Sequence, residues 1–177
     1  MKPIRHNYVV LLLLILLFAL PGLTAYFFYF NPQWLGTTTT NKGAFLNPPL
    51  LVPSLGGHSK WRLVLWSPVT CETSCLEHMD QLARVRLALG RRLYDVEASL
   101  LLGANAGALP TSIANTLRDE DVHVVTLSAN QSERLAMLYK TSTMFIANPN
   151  DFLVLSYQMT TKSDDIFHDI KLLLKKE

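Results

Sequence analysis

The sequence predicts an α/β fold, a central mixed sheet flanked by helices, preceded by one transmembrane helix. Three observations carry this. Tyr8–Phe30 is a nearly unbroken apolar run. Beyond residue 60, short apolar runs alternate with segments of helical period. The chain has two cysteines, Cys71 and Cys75, and they fall where the first such run gives way to the first such helix.

The apolar run is taken first. At helical rise about 20 residues cross a bilayer core, so residues 8–30 suffice. Pro21-Gly22 interrupts the run in a way a membrane helix tolerates. Tyr8 at one end, and Tyr26 and Tyr29 at the other, suit the two interfaces. Lys2, Arg5 and His6 precede the run, and no Lys or Arg follows until Lys42. The positive-inside rule therefore puts residues 1–7 in the cytoplasm and the rest outside. A cleaved signal peptide would share the basic start and an apolar core at Leu11–Leu20. The run resumes from Leu23 to Phe30 without a small-x-small cleavage site, so a retained anchor is predicted. Both readings export the domain to a compartment where thiols oxidise. The expected location is a bacterial inner membrane, single-pass, with the C-terminal domain in the periplasm. Formal net charge is +2 with no basic stripe, so nothing argues for nucleic acid as a partner. Two cysteines allow one intramolecular disulfide, not a disulfide framework.

Residues 31–59 read as a Pro/Thr/Gly-rich linker: Thr37–Thr40, Pro48-Pro49, Pro53 and Gly56-Gly57 do not build a helix. Phe45, Leu46, Leu50, Leu51 and Val52 are too apolar for a pure spacer, so part of it is expected to lie along the domain as an extended arm. The domain proper is predicted over 60–177. Trp61–Trp66 is a strand, ended by Ser67-Pro68. A helix follows from Ser74 to Gly90, with Ser74 and Glu77 as a capping box. Cys75, Met79, Leu82, Val85 and Leu89 mark its inner face. Val96–Leu102 is a strand covered on both faces. Gly103–Pro110 reads as an ordinary loop, since no GK[ST] follows to make it a phosphate cradle.

Thr111–Arg118 is a short helix and Val122–Leu127 a strand. Gln131–Tyr139 is a helix with Leu135 and Leu138 inward. Thr143–Ala147 and Phe152–Tyr157, joined by the polar turn Asn148–Asp151, form an antiparallel hairpin. The last helix is capped by Ser163, with Asp164 and Asp165 in its first turn and Lys175 and Lys176 in its last. Ile166, Ile170 and Leu173 are its core stripe. The order β-α-β-α-β-α-β-β-α, parallel at first through right-handed crossovers, is that of a thioredoxin-like fold with an insertion. Its thiol site lies at the C-terminal end of a core strand, where α/β folds place chemistry.

An exported domain of this order with C-x-x-x-C after its first core strand resembles the Sco/SenC family of membrane-anchored cytochrome c oxidase assembly proteins. The resemblance is carried by the anchor, Asn41-Lys42-Gly43 with Pro48-Pro49, Trp61–Cys75, Met144–Pro149 and the terminal helix. Val85–Gly90 is similar to the helix end of a subgroup of short bacterial thioredoxin-like membrane proteins. The resemblance implies that Cys71 and Cys75 bind Cu(I) or act as a dithiol reductant. It implies as partner an oxidase subunit or another assembly factor. The family's third copper ligand, a histidine, would fall near Lys140, and no histidine lies between His123 and His168. The chain thus reads as a divergent subgroup lacking that ligand. Nor does a proline precede Thr143, where thioredoxins carry one beside the thiols.

Among single residues, Cys71 is expected to be the more exposed, attacking thiol and Cys75 the partly buried, resolving one. A helix N-terminus favours both thiolates. Glu72 between them is solvated or raises their pKa by like charge, and Lys140 would do the reverse if it stands near them. His78 is expected on the rim, His123 partly buried within its strand, and His58 in the arm. Trp61 and Trp66 are expected to pack in the core. The alternative to redox or copper chemistry is a membrane-tethered, non-catalytic interaction module whose disulfide only locks the turn.

Overall fold

The computed structural model describes residues 4–31, 40–57 and 59–175. The chain divides into two units, Met1–Thr40 and Asn41–Glu177. In the first, helix α1 (Ile4–Phe30) carries an apolar stretch, Tyr8–Phe30, long enough to cross a membrane. It runs on through Pro21, and Thr24 donates to the carbonyls of Leu20 and Pro21, both at 2.9 Å.

The second unit is one six-stranded sheet. In chain order its elements are β1 (Ala44–Leu51), β2 (Trp61–Ser67), α2 (Thr73–Ala88), β3 (Val96–Leu102), α3 (Thr111–Asp119), β4 (Val122–Thr126), α4 (Ala129–Leu138), β5 (Thr143–Ala147), β6 (Phe152–Tyr157) and α5 (Ser163–Leu174). The strand order is β1-β6-β5-β2-β3-β4. β2, β3 and β4 are parallel to one another, and β5 is antiparallel to both β2 and β6. This is the predicted arrangement, with one strand added in front. Every residue of β3 is buried, and its largely small and apolar sequence suits a strand covered on both faces. On one face Leu63, Leu65 and Leu100 pack under Met79 and Leu82 of α2, Leu117 of α3 and Ile166 and Ile170 of α5. On the other, Val64, Trp66, Leu101 and Phe145 pack under Leu135 of α4. Each fully buried Leu or Met contributes roughly 1.5–3 kcal/mol.

The added strand comes from the segment read as linker and arm. β1 pairs antiparallel with β6, Ala44 and Phe45 opposite Ser156 and Leu155, then Leu50 and Leu51 opposite Leu153 and Phe152. The register shifts between Phe45 and Leu50, where Pro48-Pro49 interrupts the ladder. An edge strand tolerates proline because only one of its sides must pair. Upstream, the backbone N–H groups of Lys42 and Gly43 donate to the buried carboxylate of Asp169, each at 2.8 Å to Oδ2. The Tyr157 hydroxyl donates to the same oxygen at 2.8 Å. A Cβ on Gly43 would lie 2.5 Å from the Tyr157 ring, so a side chain there would have to displace the ring that bonds Asp169.

Several element ends depart from expectation. α2 begins at Thr73 with Glu72 in the cap position and no side-chain cap, so Ser74 is already inside the helix. α2 ends at Ala88, and Gly90–Asp95 is a 3-10 segment leading into β3. α4 starts earlier, at Ala129, because Ser128 and Gln131 form a capping box. Leu138, expected inward, is 65% exposed. The helix ends there, and Tyr139 instead packs edge-to-face on Phe145, 4.8 Å between centroids. α5 begins at Ser163 itself, with Lys162 in the cap position and no side-chain cap. Asp164 and Asp165 lie in its first turn, and Lys176 falls outside the described residues. Its buried stripe is Ile166, Ile170 and Leu174, an i+4 row, with Leu173 only partly buried.

An ionic cluster stands at the other end of β2 from the thiols. Arg62, buried, bonds Asp151 through Nη1 and lies 3.4 Å from Glu97 through Nε, while Lys60 stands 3.0 Å from Glu97. Burial pushes the Glu97 carboxyl up, but the bonded Lys60 ammonium and the charges of His123 and Arg62 outweigh it and hold the group below its ordinary value. A depressed carboxyl adds stability above its unfolded pKa, near 4.3, and that stability is lost as pH falls through the lower folded value. Glu97→Gln is therefore expected to flatten the acid limb of a stability–pH curve below about pH 4. An unchanged acid limb would remove Glu97 from the account.

Candidate functional site

The thiol turn hangs between two fixed ends. β2 terminates at Ser67, whose carbonyl accepts from Gly103 N at 2.9 Å, and α2 takes over at Thr73. Within the turn the Ser67 hydroxyl donates to Val69 O at 2.8 Å, and the Thr70 hydroxyl donates to Ala106 O. Cys71 and Cys75 are joined as a disulfide, 5.2 Å between Cα atoms. Four residues is one helical turn, so a cysteine just before the cap and one in the first turn meet along the same face.

Both cysteines are buried, Cys71 to 1% and Cys75 to 5% exposure, in the core layer under α2. This corrects the expectation that Cys71 would be the more exposed. Loop 103–110 folds against residues 68–70 and covers that side of the turn. What is exposed is the neighbouring chain: Val69, Thr70 and Glu72. The first N–H groups of α2 meet no side-chain cap, so the positive end of the helix is open to a thiolate in its first turn.

The loop read as ordinary therefore belongs to the site. A Cβ on Gly103 would lie 2.6 Å from Pro68 O, a backbone atom with no freedom to swing away. Gly103→Ala is expected to push residues 68–70 outward, lowering stability by about 1–3 kcal/mol and speeding reduction of the disulfide. Urea unfolding and thiol-release kinetics check both, and a variant identical to wild type in the two would contradict the close approach. Gly103 and Ala106 were not singled out from sequence. Only the glycine offered a signal, and a close approach between two loops is not visible in either.

Among the described residues the histidines do not converge on the thiols. His78, on the rim as expected, has both ring nitrogens facing carbonyls, Nδ1 at 2.5 Å from Ser74 O and Nε2 at 3.1 Å from Met159 O. It pins α2 to the segment after β6. His123 is exposed, not partly buried, because β4 is an edge strand. His58 lies outside the described residues. Lys140 is exposed in the loop entering β5. Thr143 pairs with Trp66, so that loop is at the same end of the sheet as the thiol turn. A groove of about 550 Å³ runs along it, lined by Lys140, Ser142 and Met159 among others but by neither cysteine. Trp66 is fully buried on the sheet face opposite the disulfide, its indole N–H donating to Tyr139 O at 3.2 Å. Trp61 is half-buried against the thiol-side core.

These donors do not make a three-ligand copper site. Among the described residues no three His, Cys, Asp or Glu side chains cluster to hold a metal. The turn supplies two sulfurs, soft donors of the kind Cu(I) prefers, and among the described residues no third His, Cys, Asp or Glu joins them. What the arrangement can do unaided is interconvert a dithiol and a disulfide.

Comparison with solved structures places this geometry. Apo Sco1 from Thermus thermophilus matches with a TM-score of 0.58 at 17% identity, over 78% of this chain and 99% of that one. Yeast Sco1 with copper bound matches with a TM-score of 0.55 at 12% identity, over 70% and 84%. Copper-bound ScoI from Arabidopsis thaliana matches with a TM-score of 0.52 at 12% identity, over 67% and 86%. At these identities the likeness is one of fold, and it bears out the thioredoxin-like, Sco-like scaffold. Comparison with curated proteins found no match. Residues 61–176 match the family model described as "Transmembrane-like, thioredoxin-like, C-terminal domain". With its apolar N-terminal helix ahead of that match, the chain belongs to this transmembrane-like, thioredoxin-like family.

Proposed function

We propose that this is a membrane-anchored thiol–disulfide exchange protein that serves cytochrome c oxidase assembly from the periplasmic side of a bacterial inner membrane. The observation that carries the reading is the Cys71–Cys75 disulfide at the strand-to-helix turn of a Sco-like scaffold, without a third metal donor among the described residues. In the reduced protein the Cys71 thiolate attacks a disulfide of the client. A Cys71–client disulfide forms and the client's second sulfur leaves as a thiolate. Cys75 then attacks the Cys71 sulfur, releasing the client as a dithiol and leaving the Cys71–Cys75 disulfide. Two electrons pass to the client, and an exported dithiol donor must return them. Cys71 is assigned the attack because it lies on the irregular segment between β2 and α2, whereas Cys75 is fixed within α2. The client is an oxidase subunit or another assembly factor.

A structural disulfide in a non-catalytic interaction module is favoured by one observation, the burial of both sulfurs. The reduction potential separates the two. Exchange predicts a value in the range of roughly −180 to −270 mV and equilibration with glutathione. A potential below about −300 mV without exchange would make the bridge structural. Anaerobic titration of the reduced chain with Cu(I) is expected to show no tight stoichiometric site. A tight site lost in Cys71→Ser would make the pair a copper carrier, as the resemblance to Sco proteins implies.

A further inference from the structure

Two departures from the expected fold meet at one place. Leu138 is turned outward, and the arm becomes edge strand β1 with Phe45 and Leu51 left exposed while Leu46 and Leu50 pack on the core. Between them runs a groove of about 630 Å³, walled by residues 45–51 on one side and by Arg134, Met137, Leu138 and Tyr139 on the other. Phe45 is 60% exposed, Leu51 44%, Met137 68% and Leu138 65%. A patch of large apolar side chains this contiguous marks a docking face.

We infer that this groove is a lipid-docking face that lays the domain against the bilayer carrying its own anchor. Charge is the first reason. Across residues 41–52 and 129–143 the exposed cations are Lys42, Arg134 and Lys140, against the single carboxylate of Glu133. Apolar side chains flanked by cations match an anionic headgroup layer above acyl chains. Chain length is the second. Only the 13 residues 31–43 separate the apolar helix from β1, and fully extended they reach at most roughly 45 Å. A tether this short holds the face at high effective concentration over the membrane, so weak partition suffices. Third, Pro48-Pro49 in β1 withholds backbone donors, which disfavours strand addition by a client peptide at the same edge. The inference rests on insertion of residues 8–30 and is independent of the thiol chemistry.

The test uses the full chain, one copy per nanodisc of mixed phosphatidylglycerol and phosphatidylcholine, with the disulfide kept oxidised. A nitroxide is attached at Leu138→Cys and, as control, at Asn115→Cys, an exposed site on α3. The ratio of oxygen to nickel-chelate accessibility is expected to be several-fold higher at 138 than at 115. It should fall in pure phosphatidylcholine and return to the aqueous value when Phe45→Asp is added. A label at Met137→Cys repeats the reading independently of Leu138. Equal, water-like ratios at all three sites would overturn the inference. So would immersion that survives Phe45→Asp, which would make the label itself the cause. Dipolar broadening that appears when nanodiscs are loaded with more than one copy would overturn it too, by assigning the groove to a second copy of the chain.

Discussion

Cys75→Ser is expected to accumulate a mixed disulfide through Cys71, seen as a higher band on non-reducing gels that dithiothreitol dissolves. Cys71→Ser is expected to form none and to lose exchange with a disulfide substrate down to background. Both variants remove the same cross-link. Closing a loop this short stabilises the fold by about 2 kcal/mol in the chain-entropy picture. Stability therefore cannot account for a difference between them, and the contrast isolates the order of attack. The opposite contrast would exchange the two roles. Two variants that trap nothing and differ from wild type only in unfolding midpoint would leave the bridge a structural clamp.

Asp169→Ala is expected to be the most damaging change outside the thiol turn. The carboxylate is 1% exposed and accepts from two backbone N–H groups of the arm and from the Tyr157 hydroxyl, with His168 Nδ1 3.0 Å away. Truncation strands several donors in a dry place, at about 1–3 kcal/mol for each left unpaired. The losses overlap, because the arm can detach and rehydrate its own amides. A net loss of about 3 kcal/mol or more is expected in urea unfolding of the full chain, with hydrogen exchange accelerated at residues 42–45. Asp169→Asn keeps one acceptor and should fall between. Burial, followed by the bond to Asp169, raises the Tyr157 hydroxyl above its ordinary value. Its contribution is complete below about pH 10 and fades only as pH rises further. A stability change under about 1 kcal/mol for Asp169→Ala would mean that the arm is held by its strand pairing alone.

The parts of the fold legible in sequence are those whose signal is local. Val96–Leu102 is mostly small or apolar because both its faces are covered, and the Asn148–Asp151 turn announces its hairpin. The thiol turn was legible for the same reason, since two cysteines one helical turn apart at a strand-to-helix junction need no distant partner to be noticed. What was missed depends on contacts far apart in the chain. β1 has prolines at its centre, and only its pairing with β6 makes it a strand. Asp169 resembles any acidic residue of an amphipathic helix until Lys42 and Gly43 arrive from more than a hundred residues away. His123 alternates with apolar neighbours as a buried residue would, but an edge strand leaves it exposed. The 103–110 loop is tied to the thiol turn by the Thr70–Ala106 bond, yet its composition says only that it bends.

The docking of β1 also changes how this protein meets other proteins as it folds. Without residues 44–51, β6 would be the rim of the sheet, and its sequence FLVLSY offers an uninterrupted row of hydrogen-bonding groups. Such a rim is a template for strands from neighbouring chains. Covered by a strand broken at Pro48-Pro49, the sheet ends in a row that cannot propagate. Crowded copies confined to one membrane surface would be the molecules most exposed to that hazard. The segment that looks most like a mere connector thus guards against aggregation, and trimming it to make a shorter soluble domain would expose the edge it seals.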